Sequence, residues 1–187
     1  MPADTRDRRW TQSSCIAKNI GGSFVRRNNL CSMPSWSHVK SQEPEFAERV
    51  EHLFQVGRHK TIATLRADGS PRISGIECDF ADGELTFASM SDARKLGDLR
   101  RDGRFSLHGP SIDPEVGREA AWPGEAKISG IAVPVVTPGP SVDGASDAQA
   151  FVADIREVVV THLNTDATKL VIEWWTPEGG RQRAERD

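Results

Sequence analysis

Apolar positions change their spacing along this chain, and each change marks a change of element. From Pro44 to Val56 the residues Phe46, Val50, Leu53 and Phe54 recur at helical intervals. Pro44 occupies the first-turn position that proline favours and Gly57 follows as a stop, so a helix is predicted over 44–56. Short alternating runs then take over. Strands are predicted over 60–67 and 71–80 around Asp68-Gly69, and over 84–89 after the turn Ala81-Asp82-Gly83. Further strands are predicted over 104–109, 125–136, 155–163 and 167–175, with loops over 110–124 and 138–144. Short helices are expected over 92–101 and, capped by Ser146, through Val152. These seven runs give a mainly β fold with a few short helices, whose barrel is read as a six-stranded split antiparallel β-barrel.

Residues 1–32 lack this patterning. They are rich in charge and interrupted by Ser13-Ser14 and Gly21-Gly22, so they read as a disordered or non-native extension. One folded domain is expected over 33–187, with Met33 as an alternative start of translation.

Composition narrows the function classes. A formal charge of −3 over 187 residues gives no footprint for nucleic acid or an acidic membrane. No apolar run approaches the roughly 18 residues that cross a bilayer. Cys15, Cys31 and Cys78 are odd in number and never in C-x-x-C spacing, which implies neither a disulfide framework nor a zinc site. A cytoplasmic home fits that usage.

Candidate chemistry is confined to two places. Ser91-Asp92-Ala93-Arg94-Lys95 reads as a capped helix start with open amides and two cations, a place for a phosphate. Arg72, on the second strand of the first hairpin, brings a third cation alongside. The pentapeptides Arg72-Ile-Ser-Gly-Ile76 and Lys127-Ile-Ser-Gly-Ile131 nearly repeat one another. A glycine inside a strand marks barrel closure or close approach of a ligand, and both readings stand for each copy. No nucleophile elbow, P-loop or zinc-protease helix occurs, and the five histidines lie far apart. With no side chain standing out as acid, base or nucleophile, a cofactor carrying its own reactivity, of flavin type, is the natural route to catalysis.

From about Trp36 to Arg183 the chain resembles the pyridoxamine 5'-phosphate oxidase-like family of flavin-binding split barrels. The resemblance is carried by Ala63-Thr-Leu-Arg-Ala-Asp-Gly-Ser-Pro-Arg72 and by Arg94-Lys95 followed by Leu99-Arg-Arg-Asp102. It implies a homodimer with FMN, or the deazaflavin F420, bound between subunits, and a flavin-dependent oxidoreductase acting on a small organic substrate. Arg72, Ile73, Ser74, Gly75 and Ile76 would line the ring and reach toward the phosphate. Ala88 and Ser89 would touch the cofactor, Arg94 and Lys95 would hold its phosphate, and Trp175 would stand at its edge. Arg181 and Glu77 would meet substrate. Glu77 stands where the true oxidases carry a lysine and Arg183 where they carry a histidine, so oxidation of vitamin B6 itself is not expected. A non-catalytic flavin- or haem-binding protein, or a scaffold that has lost its cofactor, is the alternative.

Overall fold

The helical spacing after Pro44 is realised, in a computed structural model that describes residues 33–135 and 148–187, as a helix buried along one face. Expectations for 1–32, for the loop 138–144 and for a cap at Ser146 lie outside the described residues. That helix, α2 (Pro44–Gln55), buries Phe46, Ala47, Val50, Leu53 and Phe54. A second helix that the apolar pattern does not announce, α1 (Trp36–Gln42), precedes it. Only Trp36 and Val39 of α1 are buried, too narrow a stripe to register as periodic. Tertiary contacts hold it instead, as they do for most short helices. Trp36 packs on Phe80 with ring centroids 4.6 Å apart, and its indole N–H donates to Glu51 Oε1 at 2.6 Å.

The first hairpin joins β1 (Lys60–Leu65) to β2 (Pro71–Ile76), with Gly69 at a φ of 82°. The second joins β3 (Cys78–Ala81) to β4 (Glu84–Ser89) through Asp82 and Gly83, both at positive φ. Two such residues make the turn whose twist matches the flanking strands. The single strand expected over 71–80 is therefore two strands broken at Glu77. β2 pairs only with β1, whereas β3 pairs with β4, so the chain changes sides of the barrel there.

Helix α3 (Arg94–Arg101) and strand β5 (Arg104–His108) follow, then β6 (Glu125–Pro134), β7 (Gln149–Leu163), β8 (Leu170–Thr176) and β9 (Gly180–Arg186). The strand order is β2-β1-β5-β6-β7-β4-β3, all antiparallel, with β8 on β7 and β9 on β8. The sheet does not close, as a split barrel requires. β7 creates the split: its first residues pair with β4 and its last with β8, while β6 runs along its other edge.

Two expectations are corrected here. The helix expected through Val152 is the start of β7, because ladders to β4 and β6 on both edges override a weak local preference. The sheet has nine strands among the described residues, against seven predicted runs and a six-stranded barrel, because 71–80 is two strands and β9 is added. β9 escapes notice because Arg181-Gln-Arg-Ala-Glu-Arg186 has almost no apolar residue, the sort of sequence that blunts an edge strand.

Alternation along the strands puts Ile62, Leu85, Phe87, Phe105, Leu107, Ile128, Phe151, Ile155 and Val158 into one core beneath the helices. Phe87 lies at its centre, 5.1 Å from the Phe105 ring and 5.7 Å from that of Phe151. Gly130 sits at a β-bulge where Arg156 is the extra residue on β7. A Cβ on Gly130 would lie 2.1 Å from the Asp154 carbonyl oxygen. Barrel geometry accounts for the glycine of the second pentapeptide.

Candidate functional site

The β1–β2 register sets Thr64 opposite Arg72, so both side chains stand on the same face of the hairpin. Helix α3 lies over that face and lowers Asp98 between them. Asp98 is only 3 % exposed. Its Oδ2 accepts from Thr64 Oγ1 at 2.9 Å and Arg72 Nε at 2.6 Å, and its Oδ1 from Arg101 Nη2 at 3.2 Å. Burial pushes the Asp98 carboxyl up, but hydrogen bonds from Arg72, Thr64 and Arg101 together outweigh it and hold the group below the usual carboxylate range. Arg101 donates in addition to the Leu65 carbonyl.

Lys95, in the first turn of α3, donates from Nζ to the Gly75 carbonyl at 2.7 Å. The structure thus brings the two predicted cation clusters together, the start of α3 against the middle of β2. Arg94 beside it is exposed and makes no hydrogen bond or ion pair among the described residues. One detail of the expectation is corrected: Ser91 is not the N-cap. The helix begins at Arg94, Ala93 occupies the cap position in an extended conformation, and no side chain bonds the first-turn amides. The Leu96 amide donates to the Ala93 carbonyl at 2.8 Å, and the amides of Arg94 and Lys95 stay open, as helix starts leave them without a cap.

Five consecutive residues of a strand cannot all face one ligand. Ile73, 75 % exposed, and Gly75 stand on one face of β2, and Arg72 and Ser74 on the other. Ile76 is buried in the core and offers only its backbone. Among the described residues the edge of β2 away from β1 has no strand partner, and the Gly75 carbonyl accepts from Lys95 instead. Strand β4 runs nearby. Ala88 points outward and is exposed, whereas Ser89 points inward, and its buried Oγ has no hydrogen-bond partner among the described residues.

An open groove of about 420 Å³ continues from there. Its walls include Arg58, Lys60, Glu77, Cys78, Thr86 and Ala88. Arg58 Nε is 3.0 Å from Glu77 Oε2, so that carboxylate is paired. Burial pushes the Cys78 thiol up to about 11, which keeps it protonated and unreactive. Arg58 and Lys60 escaped the sequence reading, since a cation at a strand entry looks like any solvated residue. Among the described residues no group of three His, Cys, Asp or Glu side chains is placed to hold a metal.

The C-terminal candidates lie elsewhere. Alternation along β8 turns Glu173 and Trp175 inward. Trp175 is fully buried and its indole N–H donates to Gln42 Oε1 at 2.9 Å, so within the chain it is a core residue with no edge for a ligand. Arg181 donates from Nη2 to Glu173 Oε1 at 2.6 Å and lies 5.4 Å over the Phe46 ring. Arg49, 3.1 Å away, and His162, 3.4 Å away, share the buried Glu173. Among the described residues no hydrogen bond, ion pair or ring contact joins Trp175 or Arg181 to β2 or α3. Arg183 pairs with Glu185.

An aromatic ring carrying a phosphate fits the residues around β2 and α3. They present a buried unpaired hydroxyl at Ser89 and an unpartnered Arg94. They also offer an exposed apolar side chain at Ile73, and Gly75, with no protein atom within 4 Å of where a Cβ would stand.

No protein-family model matches this chain, and no curated protein matches its sequence. Solved structures do match. PhzG from Burkholderia lata 383, solved with tetrahydrophenazine-1-carboxylic acid, is 14 % identical with a TM-score of 0.55, over 82 % of this chain and 94 % of that one. A pyridoxamine 5'-phosphate oxidase-related, FMN-binding protein from Nostoc punctiforme PCC 73102 is 9 % identical with a TM-score of 0.52, over 83 % and 99 %. An F420 reductase, 17 % identical, covers 58 % of this chain and 94 % of its own at a TM-score of 0.42. At such identities the likeness concerns architecture. The chain has the split-barrel fold of the pyridoxamine 5'-phosphate oxidase-like proteins.

Proposed function

We propose that this protein binds FMN, with F420 as the alternative, and is an oxidoreductase that moves a hydride between that ring and a small organic molecule. The observation that carries the reading is the contact of α3 with the open edge of β2. Arg94, Lys95 and the uncapped amides stand together there, beside a strand with no strand partner on that side among the described residues. A phosphate at this place gains charge-assisted hydrogen bonds and the positive end of the helix. A ring continuing along Ile73–Ile76 meets an exposed apolar side chain at Ile73 and, at Gly75, backbone with no side chain whose carbonyl is already fixed by Lys95.

The bound flavin or deazaflavin supplies the two-electron chemistry, taking hydride from a reduced partner or giving it to an unsaturated one. The residues of this chain bind, orient and exclude water. Arg94 and Lys95 neutralise the phosphate, and the Ser89 hydroxyl satisfies an acceptor on the ligand. The groove past Ala88 receives the second reactant, where the Arg58–Glu77 pair presents one charge of each sign.

The protein is a homodimer in this reading. Ala63, Ser106, Ser129 and Glu157 line up in register across one face of the sheet, and Val159, two residues along from Glu157, stands opposite Trp174. A second copy covers that face and completes the ligand site.

One observation favours a binder without catalysis. Glu77 is paired and Cys78 is held protonated, so neither of these two groove residues is a ready acid or base. Titration with FMN and with F420, followed by visible absorption and thermal melting, tests the proposal. A ligand at a hundredfold excess over its Kd stabilises the fold by about 2.7 kcal/mol, so Tm rises with one of the two. A colourless protein whose melting neither ligand moves overturns it. A flavin that binds but is reduced by neither nicotinamide nor a reduced deazaflavin supports the binder.

A further inference from the structure

We infer that Asp98 is a positioning residue for the ligand's phosphate: it aims the Arg72 guanidinium, and Arg72 binds the anion through its terminal nitrogens. The inference rests on the proposed flavin reading and deepens it. Asp98 engages Arg72 only through Nε, at 2.6 Å. The two terminal Nη groups, which form the part of a guanidinium best shaped for a phosphate, make no hydrogen bond among the described residues. Arg72 is mostly withdrawn from solvent, its side chain 18 % exposed, so it cannot sweep freely as a surface arginine does.

Asp98 is itself fixed from three sides, by β1 through Thr64, by β2 through Arg72 and by its own helix through Arg101. Rotating the carboxylate breaks at least one of those bonds. The direction of the Arg72 side chain is therefore set by α3, the same helix whose first turn carries Arg94 and Lys95. One rigid body thus locates three cations, two directly and one by way of Asp98. A charge left to wander would lose side-chain entropy on binding each anion; a guanidinium already held loses less.

FMN and riboflavin differ only by the phosphate, so the ratio of their affinities isolates its contribution. Both are titrated against the wild type, Asp98→Asn, Arg72→Ala, Arg72→Lys and the double variant Arg72→Ala/Asp98→Asn, with circular dichroism reporting the fold. The wild type favours FMN. Asp98→Asn lowers the ratio about tenfold while riboflavin affinity stays within about twofold, and it changes nothing further once Arg72 is alanine. Should Asp98→Asn lose its fold, Arg72→Lys separates bare charge from an aimed guanidinium, because it keeps the charge and loses the terminal nitrogens together with the Nε contact to Asp98. Its ratio falls nearly as far as that of Arg72→Ala if aiming matters. A ratio unchanged in Asp98→Asn, an equal loss in the alanine background, or Arg72→Lys behaving as wild type overturns the inference while leaving flavin binding intact. Binding of neither flavin by the wild type overturns the functional proposal first and this inference with it.

Discussion

Lys95 donates to the backbone carbonyl of Gly75 across 2.7 Å, so the first turn of α3 is fastened to the middle of an edge strand. The ammonium has two donors left for an anion. Lys95→Ala removes the fastening and the charge together. It is expected to cost FMN binding about 1–3 kcal/mol, read by fluorescence titration, while riboflavin binding changes little. Equal losses for both flavins would mean that Lys95 supports the strand and not the phosphate.

The two near-identical pentapeptides make opposite predictions for one substitution. A methyl on Gly130 falls 2.1 Å from a backbone oxygen that cannot move without breaking the ladder to β7. Gly130→Ala should destabilise the fold by at least about 1–3 kcal/mol in urea titration. A methyl on Gly75 meets no protein atom within 4 Å. Gly75→Ala should keep wild-type stability and weaken FMN by about 1–3 kcal/mol, since the ring is then what it strikes. Undiminished FMN affinity in Gly75→Ala removes the ring from β2.

Sequence reading recovered what local chemistry encodes. Gly69 and Gly83 announced the hairpins, and the spacing of Phe46, Val50, Leu53 and Phe54 announced α2, because turns and stripes are written in neighbouring residues. The approach of Arg94-Lys95 to Arg72–Ile76 was also legible, through motif and not through period. Long-range pairing stayed hidden. Gln149–Val152 is a strand because of β4 and β6, and Arg181–Arg186 pairs with β8 despite having no apolar face. Nothing in the sequence sets Asp98 apart from the other charges of α3. Its burial follows from the packing of α3 on the β1–β2 hairpin, where Thr64 and Arg72 stand opposite each other and both donate to it.

Acid should loosen the fold through two carboxylates. Burial raises Asp98 and Glu173, but hydrogen bonds from Arg72, Thr64 and Arg101 in one case, and Arg181 and Arg49 in the other, leave both lowered. A depressed native value contributes stability that is present above the unfolded value, about 4 for these groups, and fades as pH falls through the native one. Thermal melts below pH 5 should show the wild type losing Tm more steeply than Asp98→Asn. Parallel curves would remove Asp98 from the acid limb.

Trp175 offers a test of the core assignment. Trp175→Phe deprives Gln42 of its donor and leaves a small void, which should cost about 1–3 kcal/mol in urea titration. FMN affinity should follow the wild type. A selective loss of FMN with full stability would return Trp175 to the ligand's edge.

The claim on which the rest depends is that the start of α3 grips an anionic flavin. Titrating FMN into the wild type and into Arg94→Ala/Lys95→Ala, followed by quenching of flavin fluorescence, tests it most directly. The account predicts saturable quenching by the wild type and at least about a tenfold weaker midpoint in the double variant, with both proteins melting alike. Equal midpoints in the two proteins, or no quenching by the wild type at all, would contradict it.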